Sequence, residues 1–220
     1  MVPEGGRTIR FKVADLADQL DAFAERWPGG RADARGRAFV SEDGMARLLP
    51  PLLVTTPLAD ERIGDYARRF GIEAGRHVVL LMRAAGVALG YWDGEELLRH
   101  KAIRKYVVRG SGKAQPVHLE SKGKSRYGSR LRLQNWRRLL TETNERLRQW
   151  WIEPGEPERL FLSVPVRVFS DLLAADPAPP FARGDALLTR IPLHVHRPDH
   201  AELLRVHRWL AVGSVVLPPG

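Results

Sequence analysis

His77-Val78-Val79-Leu80-Leu81-Met82-Arg83, a two-residue break, and Gly86-Val87-Ala88-Leu89-Gly90-Tyr91-Trp92 carry the strongest β signal in the chain. Both runs are rich in the β-branched, aromatic and other apolar residues that favour strands. A turn at Asp93-Gly94 leads to Leu97-Leu98 and then to Ile103–Arg109, which predicts a three-stranded meander. Further on, Leu160–Val164 reads as a buried strand, Val166–Ala174 as a helix, Pro177–Pro180 as a linker and Leu187–His194 as another strand. The final helix, Asp199–Leu210, follows Pro198 and opens with Asp199 as N-cap and Glu202 three residues on, a capping box. This order predicts an α+β fold, a mixed β-sheet with helices packed on it.

Upstream, Thr8–Val13 alternates like a short strand, and Asp15–Trp27 places Leu16, Leu20, Phe23 and Trp27 at helical spacing before Pro28-Gly29-Gly30 ends the helix. Arg37–Val40 and Met45–Leu49 read as a weak hairpin around Glu42-Asp43-Gly44, Pro50-Pro51 and Thr56-Pro57 as a connector, and Asp60–Phe70 as a helix. Residues 1–55 are therefore expected to form a small N-terminal α+β lobe and residues 56–220 the main domain.

With 220 residues, 44% of them hydrophobic, the chain can bury a core for one domain and an accessory lobe. It has no cysteine, which excludes disulfides and thiolate metal sites. Met1-Val2-Pro3-Glu4-Gly5-Gly6-Arg7 has no apolar signal region, and no run approaches the roughly 20 apolar residues of a membrane span. A cytoplasmic location, away from membranes, is expected.

The net charge of +9 is concentrated in one place. Arg99–Trp150 holds 15 Lys and Arg against Glu120, Glu142 and Glu145, a balance of +12 that leaves −3 for the rest of the chain. Within it, residues 110–127 are rich in Gly, Ser and Lys and nearly devoid of apolar side chains. Such a segment cannot bury enough surface to order itself, so a mobile loop is expected there. From Ser129 the pattern turns helical, with Leu131, Leu139 or Leu140, Leu147 and Trp150-Trp151 along one face. A basic strand, a glycine-bearing loop and a basic helix start make a cationic arm suited to phosphates. Lys105, Tyr106, Arg109, Lys113, Lys122, Lys124, Arg126, Gly128, Ser129, Arg130 and Arg132 are the candidate RNA-binding residues.

Lys105-Tyr106-Val107-Val108-Arg109, Gln115, and Gly128-Ser129-Arg130-Leu131-Arg132 with Asn135 resemble the middle domain of eukaryotic and archaeal release factors. They resemble more closely the VLRF-type release-factor family related to the Vms tRNA endonucleases, including its actinobacterial branch. The motif covers about 35 residues, and it departs from the family at Lys113-Ala114, where small residues usually precede the glutamine, and at Leu133-Gln134, which replace a basic and an aromatic residue. The resemblance implies an RNase H-like core, no cofactor, and Gln115 as the essential residue of a peptidyl-tRNA hydrolase or tRNA-cleaving release factor. The implied partners are the peptidyl-transferase centre of the large ribosomal subunit and peptidyl-tRNA, met by a monomer. A glutamine amide does not titrate near neutral pH and cannot be a general base, but it can orient a nucleophile and donate to a developing oxyanion. Hydrolysis of the peptidyl ester and cleavage near the tRNA 3′ end both fit. A non-catalytic ribosome- or RNA-binding module is the alternative.

Two other patterns are read as structural. His194-Val195-His196-Arg197-Pro198-Asp199-His200 suggests a metal cluster, but Asp199 serves as a helix cap and no further ligand set follows, so no metal is expected. Of the six tryptophans, Trp27, Trp150, Trp151 and Trp209 lie on apolar stripes or at helix ends and are expected to pack in the core, whereas Trp136 and Tyr127 lie within the basic segment and are the candidates for base stacking.

Overall fold

A computed structural model describes residues 6–71, 75–83, 86–105 and 124–218. The fold is α+β, and the chain divides into two compact units. One comprises Met1–Ala74 with Arg205–Gly220, the other Gly75–Leu204.

The first unit is built on a five-stranded antiparallel sheet. Its strands are β1 (Arg7–Lys12), β2 (Arg31–Ala32), β3 (Phe39–Val40), β4 (Arg47–Leu49) and β10 (Val212–Leu217), in the order β1-β10-β4-β3-β2. Helices α1 (Leu16–Arg26) and α2 (Ile63–Arg69) supply Leu16, Leu20, Phe23, Ile63 and Tyr66 to its core. The hairpin read around Glu42-Asp43-Gly44 is present, with Phe39 opposite Leu48. The C-terminal strand β10 was not foreseen. It pairs with β1 from Arg7–Leu217 to Lys12–Val212 and with β4, so this unit takes in the end of the chain and does not stop near residue 55, where sequence reading places the boundary.

The second unit carries β5 (Arg76–Arg83), β6 (Gly86–Asp93), β7 (Glu96–Arg104), β8 (Arg159–Ser163) and β9 (Leu188–Arg190) in the order β7-β6-β5-β8-β9. The meander β5-β6-β7 is antiparallel, while β5-β8 and β8-β9 are parallel, so the sheet is mixed. β5 and β6 are buried along almost their whole length, as their unbroken apolar runs require. On one face Val78, Leu80, Met82, Val87, Leu89 and Tyr91 meet Leu139, Leu140, Leu147 and Trp150 of α3 (Lys124–Ile152) and Phe169 and Leu172 of α4 (Val166–Leu173). Each fully buried side chain of this size contributes about 1.5–3 kcal/mol. On the other face a Cβ at Gly90 would fall 2.3 Å from the Trp92 ring and 2.9 Å from Leu203 of α5 (His200–Leu210), so only glycine fits. Asp199 Oδ1 accepts from the Glu202 N–H at 2.9 Å and caps α5 as its sequence implies.

Three boundaries differ from expectation. β7 runs from Glu96 to Arg104 and takes in Leu97-Leu98, because those residues pair with β6. β9 is three residues long, not eight. Helix α3 begins at Lys124, so residues 124–127 are helical and not part of a loop, whereas residues 106–123 lie outside the described residues.

Candidate nucleic-acid interface

β7 is an edge strand, and its pairing register fixes where its charges stand. Ile103, Lys101 and Arg99 lie opposite Val87, Leu89 and Tyr91, so they share the sheet face on which α3 packs. Ile103 is buried there, whereas Arg99 and Lys101 are exposed. On the opposite face Arg104 pairs with Asp199 at 3.3 Å, and the His100 ring lies 4.3 Å from that of His200.

Lys105, two residues beyond Ile103, reaches α3 and donates from Nζ to Glu142 Oε1 at 2.5 Å. This contact joins the end of the basic strand to the middle of the basic helix, and it is partly shielded, the two side chains being 26% and 41% exposed. Around it lies an open cleft of about 420 Å³ lined by Lys105, Gln134, Arg137, Arg138, Thr141 and Glu142. The helical members stand at i, i+3, i+4, i+7 and i+8, one face of α3. The buried stripe of Leu139, Leu140, Leu147 and Trp150 occupies the opposite face. Arg130 stands one turn before Gln134 on the cleft side and is exposed.

The sequence candidates divide into three groups. Lys105, Arg130 and Arg132 belong to the described structure, Arg132 half-buried. Lys124, Arg126, Gly128 and Ser129 occupy the first turns of α3. Gln115, Tyr106, Arg109, Lys113 and Lys122 lie outside the described residues. Trp136, offered as a stacking platform, instead packs against the core of the second unit. Arg137, Arg138 and Glu142 are not among the sequence candidates, although the spacing of the two arginines away from the leucine stripe was a usable signal. Glu142 as the partner of Lys105 had none, because 37 residues separate them.

Among the described residues no group of three or more His, Asp or Glu side chains is placed to hold a metal ion. His194 and His196 lie edge to face with ring centres 4.3 Å apart. No described helix is long and apolar enough to cross a membrane.

The chain is similar to known proteins in both sequence and fold. It is 34% identical over 137 residues to the tRNA endonuclease ANKZF1 of Bos taurus, which covers 60% of this chain and 18% of that protein. It is 34% identical over 136 residues to the Homo sapiens protein of the same name, 60% of this chain and 19% of that one. The chain thus spans about a fifth of the length of these relatives. Among solved structures, the Vms1 mitochondrial localization core superimposes with a TM-score of 0.50 at 11% identity, over 91% of this chain and 80% of that one, and so shares the fold. The family model described as bVLRF1, Bacteroidetes VLRF1 release factor, matches residues 77–216, the meander, both stems of the cationic arm and the final helix and strand, and the chain belongs to that family.

Proposed function

We propose that the protein frees nascent peptides from peptidyl-tRNA on stalled ribosomes, acting at the peptidyl-transferase centre of the large subunit through Gln115. The observation that carries this reading is the pinned cationic stem, Lys105 fastened to Glu142 beside Arg137 and Arg138, in a chain of the release-factor family. Phosphates are the natural counterpart of such a surface. In sequence, Gln115 lies between Lys105 and α3, the two parts of this stem. Gln115 would orient the nucleophile and donate to the developing oxyanion, with the ribosome completing the site.

The names of the relatives favour cleavage of tRNA, and that of the family favours peptide release. The two chemistries leave different tRNA ends. Purified protein is incubated with stalled ribosome complexes carrying labelled peptidyl-tRNA, and the freed tRNA is analysed at its 3′ end. An intact CCA end means ester hydrolysis, and a shortened end means phosphodiester cleavage, in which a ribose 2′-hydroxyl can serve as nucleophile. If the wild type yields neither product while still binding ribosomes, the chain is a binding module and the enzymatic reading fails. A monomeric, cytoplasmic protein of the actinobacterial branch completes the proposal.

A further inference from the structure

The cleft on the solvent side of α3 holds more positive charge than it neutralises. Lys105, Arg137 and Arg138 face one carboxylate, Glu142, which is already engaged by Lys105. Thr141 is also committed, its Oγ1 donating to the Asp176 carbonyl at 2.8 Å. Arg137 and Arg138 are exposed and have neither an ion-pair nor a hydrogen-bond partner among the described residues. Two guanidinium groups therefore line one concavity with no partner among the described residues.

We propose that this cleft binds a backbone phosphodiester of the RNA on which the protein acts, with Arg137 and Arg138 taking its non-bridging oxygens and Gln134 donating beside them. The guanidinium fork matches phosphate geometry, and charge-assisted bonds of this kind are stronger than neutral ones. The Lys105–Glu142 pair gives the cleft a fixed wall, because it holds Lys105 against the helix and keeps Glu142 from closing on the arginines. The volume of about 420 Å³ lies at the small end of ligand sites and suits one nucleotide unit.

A nucleic acid fits better than an acidic protein because the exposed charge recurs along the helix. From Lys124 to Thr141 the sequence of α3 has six Lys or Arg residues and no acidic one, and Arg130, Arg137 and Arg138 are exposed on the cleft side over about 12 Å at 1.5 Å per residue. A polyphosphate backbone repeats its charge along such a length. Arg137 and Arg138 thus extend the RNA contact beyond the family motif, which ends at Asn135. The inference rests on the proposed function for the identity of its ligand.

The test uses the full chain and fluorescently labelled deacylated tRNA, with the dissociation constant measured across a salt series. Arg137→Ala/Arg138→Ala removes two phosphate contacts and should flatten the log–log salt slope by about 1.4–1.8 units, with tenfold or greater loss of affinity at low salt. Arg137→Lys/Arg138→Lys keeps the charges and should keep the slope within about half a unit while losing part of the affinity. A wild-type slope in the alanine variant overturns the proposal, as does failure of the wild type to bind tRNA. Weaker binding to ribosomal particles with an unchanged tRNA slope would assign the cleft to an acidic protein surface and overturn it too. Because the readout is free tRNA, a wild type that shows the expected slopes but releases no peptide leaves the cleft in place and removes only the proposed function.

Discussion

Asn144 is the residue on which the placement of α3 most depends. Its side chain is fully buried, and Nδ2 donates to the Leu172 carbonyl at 2.9 Å and the Pro177 carbonyl at 2.8 Å, tying the helix to the end of α4 and the segment after it. Its Oδ1 is buried without a hydrogen-bond partner among the described residues. Asn144→Ala removes two hydrogen bonds of about 0.5–1.5 kcal/mol each, orphans two carbonyls and abolishes one orphaned oxygen, for a net loss of about 2 kcal/mol. Asn144→Asp keeps the shape and should be worse. The two carbonyls would then face a carboxylate with no proton to donate, at about 3–5 kcal/mol for an uncompensated buried charge. Burial and those carbonyls would raise the folded-state pKa of the new carboxyl above its unfolded value of about 3.9. Its penalty is therefore full above the folded pKa and shrinks as pH falls through it, because a protonated carboxyl donates to one carbonyl again. Urea unfolding of the three proteins at pH 7 and pH 5 measures this. An aspartate variant as stable as the alanine variant at pH 7, or a gap to wild type that does not narrow at pH 5, would refute the reasoning.

Other outcomes follow from single contacts. Gln115→Ala should abolish release from stalled ribosomes while leaving the unfolding midpoint unchanged, and Gln115→Glu should fail by about 2.7–4 kcal/mol of transition-state stabilisation, read as kcat/KM on labelled peptidyl-tRNA. His77 is buried, stacks on Trp92 at 5.8 Å and lies 3.0 Å from the Gly75 carbonyl through Nδ1. Burial lowers its pKa, so the unfolded chain takes the proton first and stability is lost as pH falls below about 6.5; in His77→Phe the decline between pH 7 and pH 5 should be shallower in urea titrations. For Lys105 and Glu142, partly exposed as they are, a double-mutant cycle with Lys105→Met and Glu142→Gln should give about 0.2–1 kcal/mol of coupling in stability. Leu139→Ala, at a site with no exposure, should cost about 2–5 kcal/mol in the same assay.

The second unit was legible because its chemistry is local. His77–Trp92 is too continuously apolar to be anything but buried strands, and Asp199 with Glu202 marks a helix start whatever surrounds it. β10 was not legible for the opposite reason. Val212–Leu217 is a short segment with four apolar residues interrupted by Gly213 and Ser214, and only its pairing with Arg7–Lys12, some 200 residues earlier, makes it a strand. The same holds for the site. Arg130 and Arg132 stand out through motif and charge density, whereas Lys105–Glu142 is a tertiary contact that no window of sequence contains. The expected loop overran into α3 because Gly128 and Ser129 lower helix propensity there, a weak preference that a long helix absorbs.

Those contacts bear on how far the interface extends. Trp136 is the first described α3 side chain packed against the core, so twelve helical residues precede it, about 18 Å of helix. Four of the twelve, Lys124, Arg126, Arg130 and Arg132, are basic and none is acidic. Packing of the leucine stripe and the Asn144 hydrogen bonds fix the C-terminal half of α3, while Lys105 fixes the strand end beside its middle. The helix is therefore held where it needs apolar contact and charged where it has none described. If the proposed reaction needs α3 held in place, weakening the anchor at Asn144 should lower release activity even where Gln115 and every basic residue are intact. A single-turnover release assay on Asn144→Ala, run well below its unfolding temperature, tests this link: a wild-type rate would mean that α3 need not be held for the reaction.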